Sequence, residues 1–239
     1  DLADTAALVA TMREHKIDCV VHFAALIEAG ASVHEPVPYF QNNVAGTLSL
    51  LEAMNTAGVK RLVFSSTAAV YGNVDGAALL SEDLPRAPIN PYGDSKAMVE
   101  TILERCAEAY GLQTIALRYF NASGADAQGR TGERHDPETH LIPLVIQAAR
   151  GQRDLIKVNG TDYATPDGTC VRDYIHVSDL ASGHVAAVTW LQKHDHAGKQ
   201  EINLGTGTGA SVREVIDAVQ RISGKSFVVE EGPRREGDP

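Results

Sequence analysis

The sequence predicts an α/β protein with a doubly wound, parallel sheet, and three observations carry that expectation. Short apolar runs recur without the alternation of a half-exposed strand, as in Ile17–Phe23, Arg61–Ser65 and Thr114–Phe120. Longer stretches with helical start and stop signals separate them, giving the order β-α-β-α-β. The sequence then changes character: residues Asn121–Thr169 are richer in Gly, Pro, Asp and Thr.

Leu8–His15 reads as the end of a helix, and Ile17-Asp18-Cys19-Val20-Val21-His22-Phe23 as a buried parallel strand. Pro36–Gly58 is expected to be helical, with Gly58 as its stop. Arg61-Leu62-Val63-Phe64-Ser65 is a second buried strand. Asn90–Tyr110 is a long helix: Asn90 suits the N-cap, Pro91 the first helical position, and Gly111 closes it. Thr114–Phe120 is a third strand. Pro137–Arg150 is the clear helix of the next region. A strand at Ile175-His176-Val177 leads into a helix to about Gln192, then Glu201–Leu204, a helix from Ser211, and Phe227–Glu230. Residues 1–120 and about 171–200 are therefore expected to form a nucleotide-binding domain, and 121–170 with 201–239 a smaller substrate region. The chain opens at Asp1-Leu2 without the strand and glycine-rich turn that start a Rossmann-like sheet. The first β-α-β unit, about 50–60 residues, is expected to be missing, and the end at Pro233–Pro239 is equally abrupt.

The formal net charge of −10 is offset by no block of Lys or Arg. It repels nucleic acid and anionic lipid, so neither is an expected partner. The three cysteines (Cys19, Cys106, Cys170) are widely spaced and odd in number. They suggest neither a disulfide framework nor a zinc site, and favour a cytoplasmic protein. No apolar run has the length of a membrane span, and no signal peptide is visible.

Asn90-Pro91-Tyr92-Gly93-Asp94-Ser95-Lys96 carries the most chemistry. Residues four apart share a helix face, so the Tyr92 phenol and the Lys96 ammonium can reach one ligand together. A cation beside the phenol and the positive end of a helix are expected to stabilise the phenolate, making Tyr92 a general base. Upstream, Ser65-Ser66-Thr67 places hydroxyls at the carboxyl end of a central strand, where open α/β sheets bind ligands. Thr67 can then bond the substrate hydroxyl that Tyr92 deprotonates. Each piece also has a plain reading: a half-exposed tyrosine beside a solvated lysine, and a hydroxyl-rich turn bonding its own backbone.

Read together, these segments resemble the extended short-chain dehydrogenase/reductases, and within them the UDP-glucose (UDP-galactose) 4-epimerase family. The resemblance runs from Asp1 to Pro239. It rests on Val21-His22-Phe23-Ala24-Ala25, Asn42-Asn43-Val44-Ala45-Gly46-Thr47, Phe64–Gly72, Asn90–Lys96 and Arg118-Tyr119-Phe120-Asn121. It continues through Asp167–Val177 and Pro233–Asp238. The resemblance implies that Tyr92 takes the 4-hydroxyl proton while hydride passes to NAD, and that Lys96 holds the nicotinamide ribose and lowers the Tyr92 pKa. It implies a catalytic Thr67, and a cofactor site of Asp1, Phe23, Ala24, Ala25, Asn42, Ser65, Tyr92, Lys96 and Tyr119. It assigns the UDP-sugar to Thr67, Asn121, His140, Leu141, Arg172, Arg235 and Asp238, with the two arginines on the diphosphate, which a guanidinium fork suits. Solvated Arg–Asp pairs are the plain alternative for Arg172 and Arg235. A homodimer is implied, with Pro36–Gly58 and Asn90–Tyr110 as candidate surfaces.

Dehydratases of this superfamily follow the threonine with an Asp-Glu pair, whereas Ala68 and Ala69 stand here and cannot transfer a proton. The resemblance therefore implies epimerisation through a 4-keto sugar, in galactose metabolism. Ile27, His140 and Asn159 depart from one familiar bacterial form of the epimerase, at a lysine, an asparagine and a phenylalanine. Other UDP sugars (UDP-arabinose, UDP-glucuronate, UDP-N-acetylhexosamine) stay open as substrates, as does a non-catalytic dinucleotide sensor on the same fold. Gly205-Thr206-Gly207-Thr208-Gly209-Ala210 formally fits a dinucleotide fingerprint with Glu230 and Glu231 beyond it, but Ser211 also supplies an ordinary N-cap there. His194 and His196 around Asp195 read as exposed histidines, and no metal site is expected. Lacking a glycine-rich turn for the pyrophosphate, the isolated 239 residues are expected to bind NAD poorly and be inactive. Equilibrium dialysis against NAD tests this, and tight binding would point back to Gly205–Ala210 as the cofactor loop.

Overall fold

The computed structural model describes residues 1–74, 79–194 and 198–235. Helix α1 (Thr5–Glu14), capped by the Asp4 carboxylate on the Ala7 amide, leads into strand β1 (Cys19–His22). A short helix α2 (Ala29–His34) follows. The run from Pro36 is helical as expected, but in three pieces: α3 (Pro36–Tyr39), a wide π turn (Phe40–Ala45) and α4 (Gly46–Ala57). Gly58 ends it in the left-handed conformation, φ 81°. The π turn rotates Asn43 into the interior, where it is 3% exposed, and such bulges are frequent at functional sites.

Strand β2 (Arg61–Thr67) runs into a tight turn (Ala68–Tyr71), and helix α5 spans Pro91–Tyr110. The Asn90 side chain accepts from the Gly93 amide at 2.8 Å and Gly111 closes the helix at φ 65°. Then come β3 (Gln113–Tyr119), β4 (Asn121–Ser123), α6 (Leu141–Ala149), β5 (Leu155–Asn159) and β6 (Val171–His176). The chain continues with α7 (Val177–Lys193), β7 (Gly198–Leu204), β8 (Gly209–Ser211), α8 (Val212–Ser223) and β9 (Val228–Gly232). Helix α6 starts four residues later than the expected Pro137. The Glu138 carboxylate accepts the amides of Thr139 and His140, and His140 is extended, so the helix begins after it.

Two compact units result, the first formed by Asp1–Tyr119 and Ala181–Leu204, the second by Phe120–Leu180 and residues 205–235. The first holds a parallel, Rossmann-like sheet in the order β1-β2-β3-β7. Both faces are covered, which is why its strands read as unbroken apolar runs. Leu62, Phe64 and Ala116 join Met12, Leu50, Met54, Val99 and Leu103 of the helices on one side. Val63, Ile115 and Leu117 meet Ala187 and Leu191 of α7 on the other. In the second unit β6 pairs with β4 in parallel and β8 antiparallel, and β5 pairs with β9. Val145, Ala148, Ile156, Val158 and Ile216 form its core. Ser211 caps α8 in a reciprocal capping box with Glu214. No helix among the described residues is long and apolar enough to cross a membrane.

His22 is buried at the end of β1, its Nε2 2.9 Å from Thr47 Oγ1. Thr47 spends its own proton on the Asn43 carbonyl, so His22 donates as the neutral Nε2–H tautomer. Burial, then the Lys96 charge, pushes His22 down to about 4. The unfolded chain therefore binds more protons than the native one between pH 4 and 6.5, and stability is lost as pH falls through that window. The loss is roughly 3 kcal/mol. Urea unfolding at pH 7 and pH 4.5 is expected to show His22→Gln losing less stability on acidification than the wild type. Equal losses would assign the acid sensitivity to another group.

Candidate active site

Three successive residues of β2 meet α5 at the carboxyl end of the sheet. The Thr67 hydroxyl faces the Tyr92 phenol and pulls its pKa down. The Ser65 carbonyl accepts from Lys96 Nζ at 2.8 Å. Ser66 Oγ donates to Glu100 Oε1 at 2.6 Å. Lys96 Nζ also lies 4.9 Å from the centre of the Phe64 ring. Across the sheet the Ser65 and Tyr119 hydroxyls are bonded to each other. The structure thus brings together Ser65, Thr67, Tyr92, Lys96 and Tyr119. Thr67 does double duty, since its Oγ1 accepts from the Ala69 amide at 3.1 Å. The hydroxyl-rich turn does bond its own backbone, and it also faces the tyrosine.

The supports of this cluster were not visible in the motif. The Tyr92 amide donates to Ser32 Oγ at 3.1 Å, and Ser32 lies fully buried on α2, a helix too short and aperiodic to be legible in the sequence. Asn43 donates to the Leu26 carbonyl and to Ser95 Oγ, both at 3.0 Å, while its oxygen accepts the Leu26 amide at 2.8 Å. Ser95 in turn donates to the Tyr92 carbonyl at 2.7 Å. Asn42, singled out from the sequence, is exposed, and its neighbour Asn43 ties the segment after β1 to α5. Gly93 lets the helix start close against the turn: a Cβ there would stand 2.9 Å from both the Ala69 carbonyl oxygen and Pro88 Cβ.

Electrostatics differ from the sequence expectation. Burial pushes the Tyr92 phenol up to about 12, and the Thr67 hydroxyl is the pull in the other direction. Burial also pushes the Lys96 ammonium down to about 8. The ammonium is directed at a backbone carbonyl rather than at the phenol, so desolvation of Tyr92 outweighs the neighbouring charge and the helix end.

Among the other residues implied for a cofactor, Phe23 and Ala24 are exposed directly after β1 and Ala25 is half-buried. The Phe23 ring lies tilted against His184, ring centres 4.7 Å apart, and the His184 ring lies 6.1 Å from that of Tyr119. Asp1 is exposed and accepts the Ala3 amide at 3.0 Å. Ile27 is exposed.

In the second unit, Asn121 pairs in register with Tyr174 and donates to the Asp173 carbonyl at 3.2 Å. Arg172, next along β6, is half-buried and donates to the Val171 carbonyl at 3.1 Å. His140 and Leu141 stand at the start of α6, with His140 Nδ1 2.9 Å from Glu138 Oε1. With its amide turned about, Asn159 accepts from Arg235 Nε at 2.8 Å and Nη2 at 3.1 Å. The donor atoms of Glu133, His135, Glu138 and His140 lie within 4.8 Å of one another, a grouping the sequence did not suggest. One Glu138 carboxylate oxygen, Oε1, accepts two backbone amides. Asp238, His196 and Asp195 lie outside the described residues. His194 stacks on Trp190, ring centres 4.5 Å apart.

The Gly205–Ala210 loop has its own anion. The Asp173 carboxylate accepts the Thr206 amide at 2.8 Å, the Gly207 amide at 2.9 Å and the Thr206 hydroxyl at 2.7 Å. A Cβ on Gly205 would stand 2.7 Å from that carboxylate. The amides a pyrophosphate would need are bonded to Asp173. Glu231, which had completed the fingerprint, is paired with Arg213.

The family model described as the NAD dependent epimerase/dehydratase family matches residues 1–205. The chain is 48% identical over 239 residues to a UDP-glucose 4-epimerase of Halalkalibacterium halodurans, covering all of this chain and 71% of that protein. A crystal structure of UDP-glucose 4-epimerase from Brucella ovis in complex with NAD is 49% identical, with a TM-score of 0.94. It matches the whole of this chain and 73% of its own. The Bifidobacterium longum UDP-glucose 4-epimerase, solved with NAD+ and UDP, is 42% identical with a TM-score of 0.93, over all of this chain and 71% of that one.

Gly93 offers a direct test of the close contact between α5 and the turn. At an exposed helix position, replacing glycine by alanine stabilises by about 1 kcal/mol. Here Gly93→Ala is expected to reverse that sign and cost about 1–3 kcal/mol, because backbone oxygen and Pro88 must give way. A urea midpoint at or above that of the wild type would show that the contact is looser than the structure has it.

Proposed function

The chain belongs to the NAD dependent epimerase/dehydratase family, and from that premise we propose that it interconverts UDP-galactose and UDP-glucose by reversible epimerisation at C4. The reaction in this reading passes through a 4-keto sugar and serves galactose metabolism. The observation that carries it is the convergence of Thr67, Tyr92 and Lys96 on one end of β2, beside Ala68 and Ala69, which have no side chain to continue into dehydration.

The residues present fit the cofactor. Lys96 is buried, and an ammonium has three N–H donors. One is directed to the Ser65 carbonyl, which leaves others for a ribose diol. Phe23, 58% exposed, with Leu26 and Ile27, presents apolar surface just beyond β1 that a flat ring would cover. When bound, NAD supplies the acceptor for the C4 hydride. The chain supplies the rest. Tyr92 takes the proton of the C4 hydroxyl, and Thr67 holds the phenol and the sugar hydroxyl in line. In a buried site screening is weak, so the positive charges of Lys96 and of the nicotinamide act on the phenol more strongly than they would in water. The nicotinamide charge, added to that of Lys96, offsets the burial that holds Tyr92 near 12 without it. Asn121, His140, Leu141, Arg172, Arg235 and Asp238 are the residues we assign to the nucleotide sugar, the two guanidiniums to its diphosphate.

A cytoplasmic homodimer is part of this reading. Exposed Val37 of α3, Leu48 of α4 and Met98 of α5 support it, because apolar side chains on these helices are better covered than solvated.

The test is turnover. The complete protein, as distinct from the isolated 239 residues, is expected to hold NAD, detected after denaturation by its ultraviolet absorbance, and to equilibrate UDP-galactose with UDP-glucose. Enzyme with bound NAD that converts no UDP-hexose would refute the proposal. Tyr92→Phe is expected to lower kcat about 10²–10⁴-fold, the usual worth of a positioned base. Lys96→Met is expected to lower kcat and to move the acid limb of its pH profile upward, since the phenol loses a neighbouring cation. A Lys96→Met profile superimposable on the wild type would remove the lysine from that role.

A further inference from the structure

Beneath the Thr67–Tyr92–Lys96 centre lies a set of charges that the proposed chemistry leaves unused. Glu100 stands one turn beyond Lys96 and two beyond Tyr92 on the same face of α5, and it is fully buried. Its Oε1 accepts from Ser66 Oγ at 2.6 Å and from Arg118 Nε at 3.0 Å. Its Oε2 accepts from Arg118 Nη2 at 2.6 Å and from Arg86 Nη1 at 3.4 Å. Four donors thus occupy the acceptor positions of one carboxylate. Arg118, on β3, is 2% exposed. It gives its remaining Nη1 to the Tyr71 phenol at 3.0 Å, and its guanidinium lies 5.1 Å from the centre of that ring. Tyr71 passes its own proton to Asn203 Oδ1 at 2.7 Å, and Glu201 stands 3.5 Å from Arg118 Nη2. Glu100 and Tyr71 hold the guanidinium well above its ordinary value against burial.

Such a buried ion pair is weak evidence for stability, because desolvation can cancel the attraction, and an apolar pair of equal volume often serves as well. Its placement gives it another use. Apolar contact between a helix and a sheet is non-directional and restrains sliding or rotation poorly, whereas a bidentate Arg–carboxylate fork has fixed geometry. Three successive residues of β2 meet three successive turns of α5: Thr67 faces Tyr92, the Ser65 carbonyl accepts from Lys96, and Ser66 donates to Glu100. Of the three α5 residues, Glu100 alone is also clamped from a second strand, through Arg118.

The geometry points to Glu100, gripped by Arg118, as a positioning residue of the C4 oxidation centre. It sets the register of α5 on β2, and with it the placement of the Tyr92 phenol and the Lys96 ammonium against Thr67. It acts through these groups and touches no substrate. The inference rests on the proposed function only for its kinetic readout.

The experiment uses the NAD-loaded enzyme and the variant Glu100→Gln, which keeps the volume but turns an amide toward Arg118. Its kcat for UDP-galactose is expected to fall at least tenfold with KM changed less than threefold. The acid limb of its pH profile is expected to move upward, because a phenolate that the Thr67 hydroxyl no longer faces is less stable. In parallel, the ¹³Cζ resonance of Tyr92, assigned with Tyr92→Phe, is expected to shift. Glu100→Asp, which keeps the charge, should recover part of each effect. If Glu100→Gln does not fold, Glu100→Met with Arg118→Met removes both ions together, is expected to fold, and should show the same shifts. Folded variants whose kcat, pH profile and Tyr92 resonance all match the wild type would overturn the inference. A wild type inert toward UDP-hexoses would sink the proposed function instead, and the Tyr92 resonance would then decide the positioning role by itself.

Discussion

The docking of α5 on the carboxyl end of β2 is the constraint on which the first unit depends. A strand that ends Ser65-Ser66-Thr67 places three hydroxyl-bearing residues in a place where both faces of the sheet are covered, so each must find a partner or be penalised by about 1–3 kcal/mol. They find them on one helix and on β3: Lys96, Glu100 and Tyr92 on α5, and Tyr119 opposite. The demand for polar satisfaction and the demand for catalytic geometry are met by the same bonds. Gly93 permits the approach, Asn90 starts the helix where it must start, and Ser32 and Asn43 hold the first turn from the other side.

The same economy accounts for the electrostatics. A half-buried phenol and a buried ammonium are each pushed toward neutrality by desolvation, Tyr92 up to about 12 and Lys96 down to about 8. Both groups thereby become responsive: in a region of weak screening, one added charge moves them further than it would at the surface. His22 is the silent neighbour of this arrangement, kept neutral by burial and by the Lys96 charge.

The second unit solves a separate problem. Its glycine-rich loop has the letters of a dinucleotide fingerprint, but the structure spends the amides of Thr206 and Gly207 on the Asp173 carboxylate. The loop is thereby tied to β6, the strand that carries Arg172, and Gly205 is glycine because a side chain there would strike Asp173 and Phe120. A phosphate-binding motif needs free amides as well as glycines, and spacing alone does not report which anion the amides have met.

Local rules determined much of this protein from the sequence. The caps at Asn90, Gly58, Gly111 and Ser211, the apolar runs of the parallel strands and the placement of Tyr92 and Lys96 one turn apart on α5 are written in neighbouring residues, and they sit where spacing put them. Tertiary structure alone decided what depends on partners distant in the chain. The π turn that buries Asn43 instead of Asn42 exists because Leu26 and Ser95 await that side chain. The four-donor cage of Glu100 joins residues 14 to 34 positions apart. The phenol of Tyr92 is raised rather than lowered because desolvation depends on how many atoms surround it, a quantity no motif contains. Periodicity and caps are properties of a few consecutive residues, whereas burial and hydrogen-bond partnership exist only once the whole chain has closed around them.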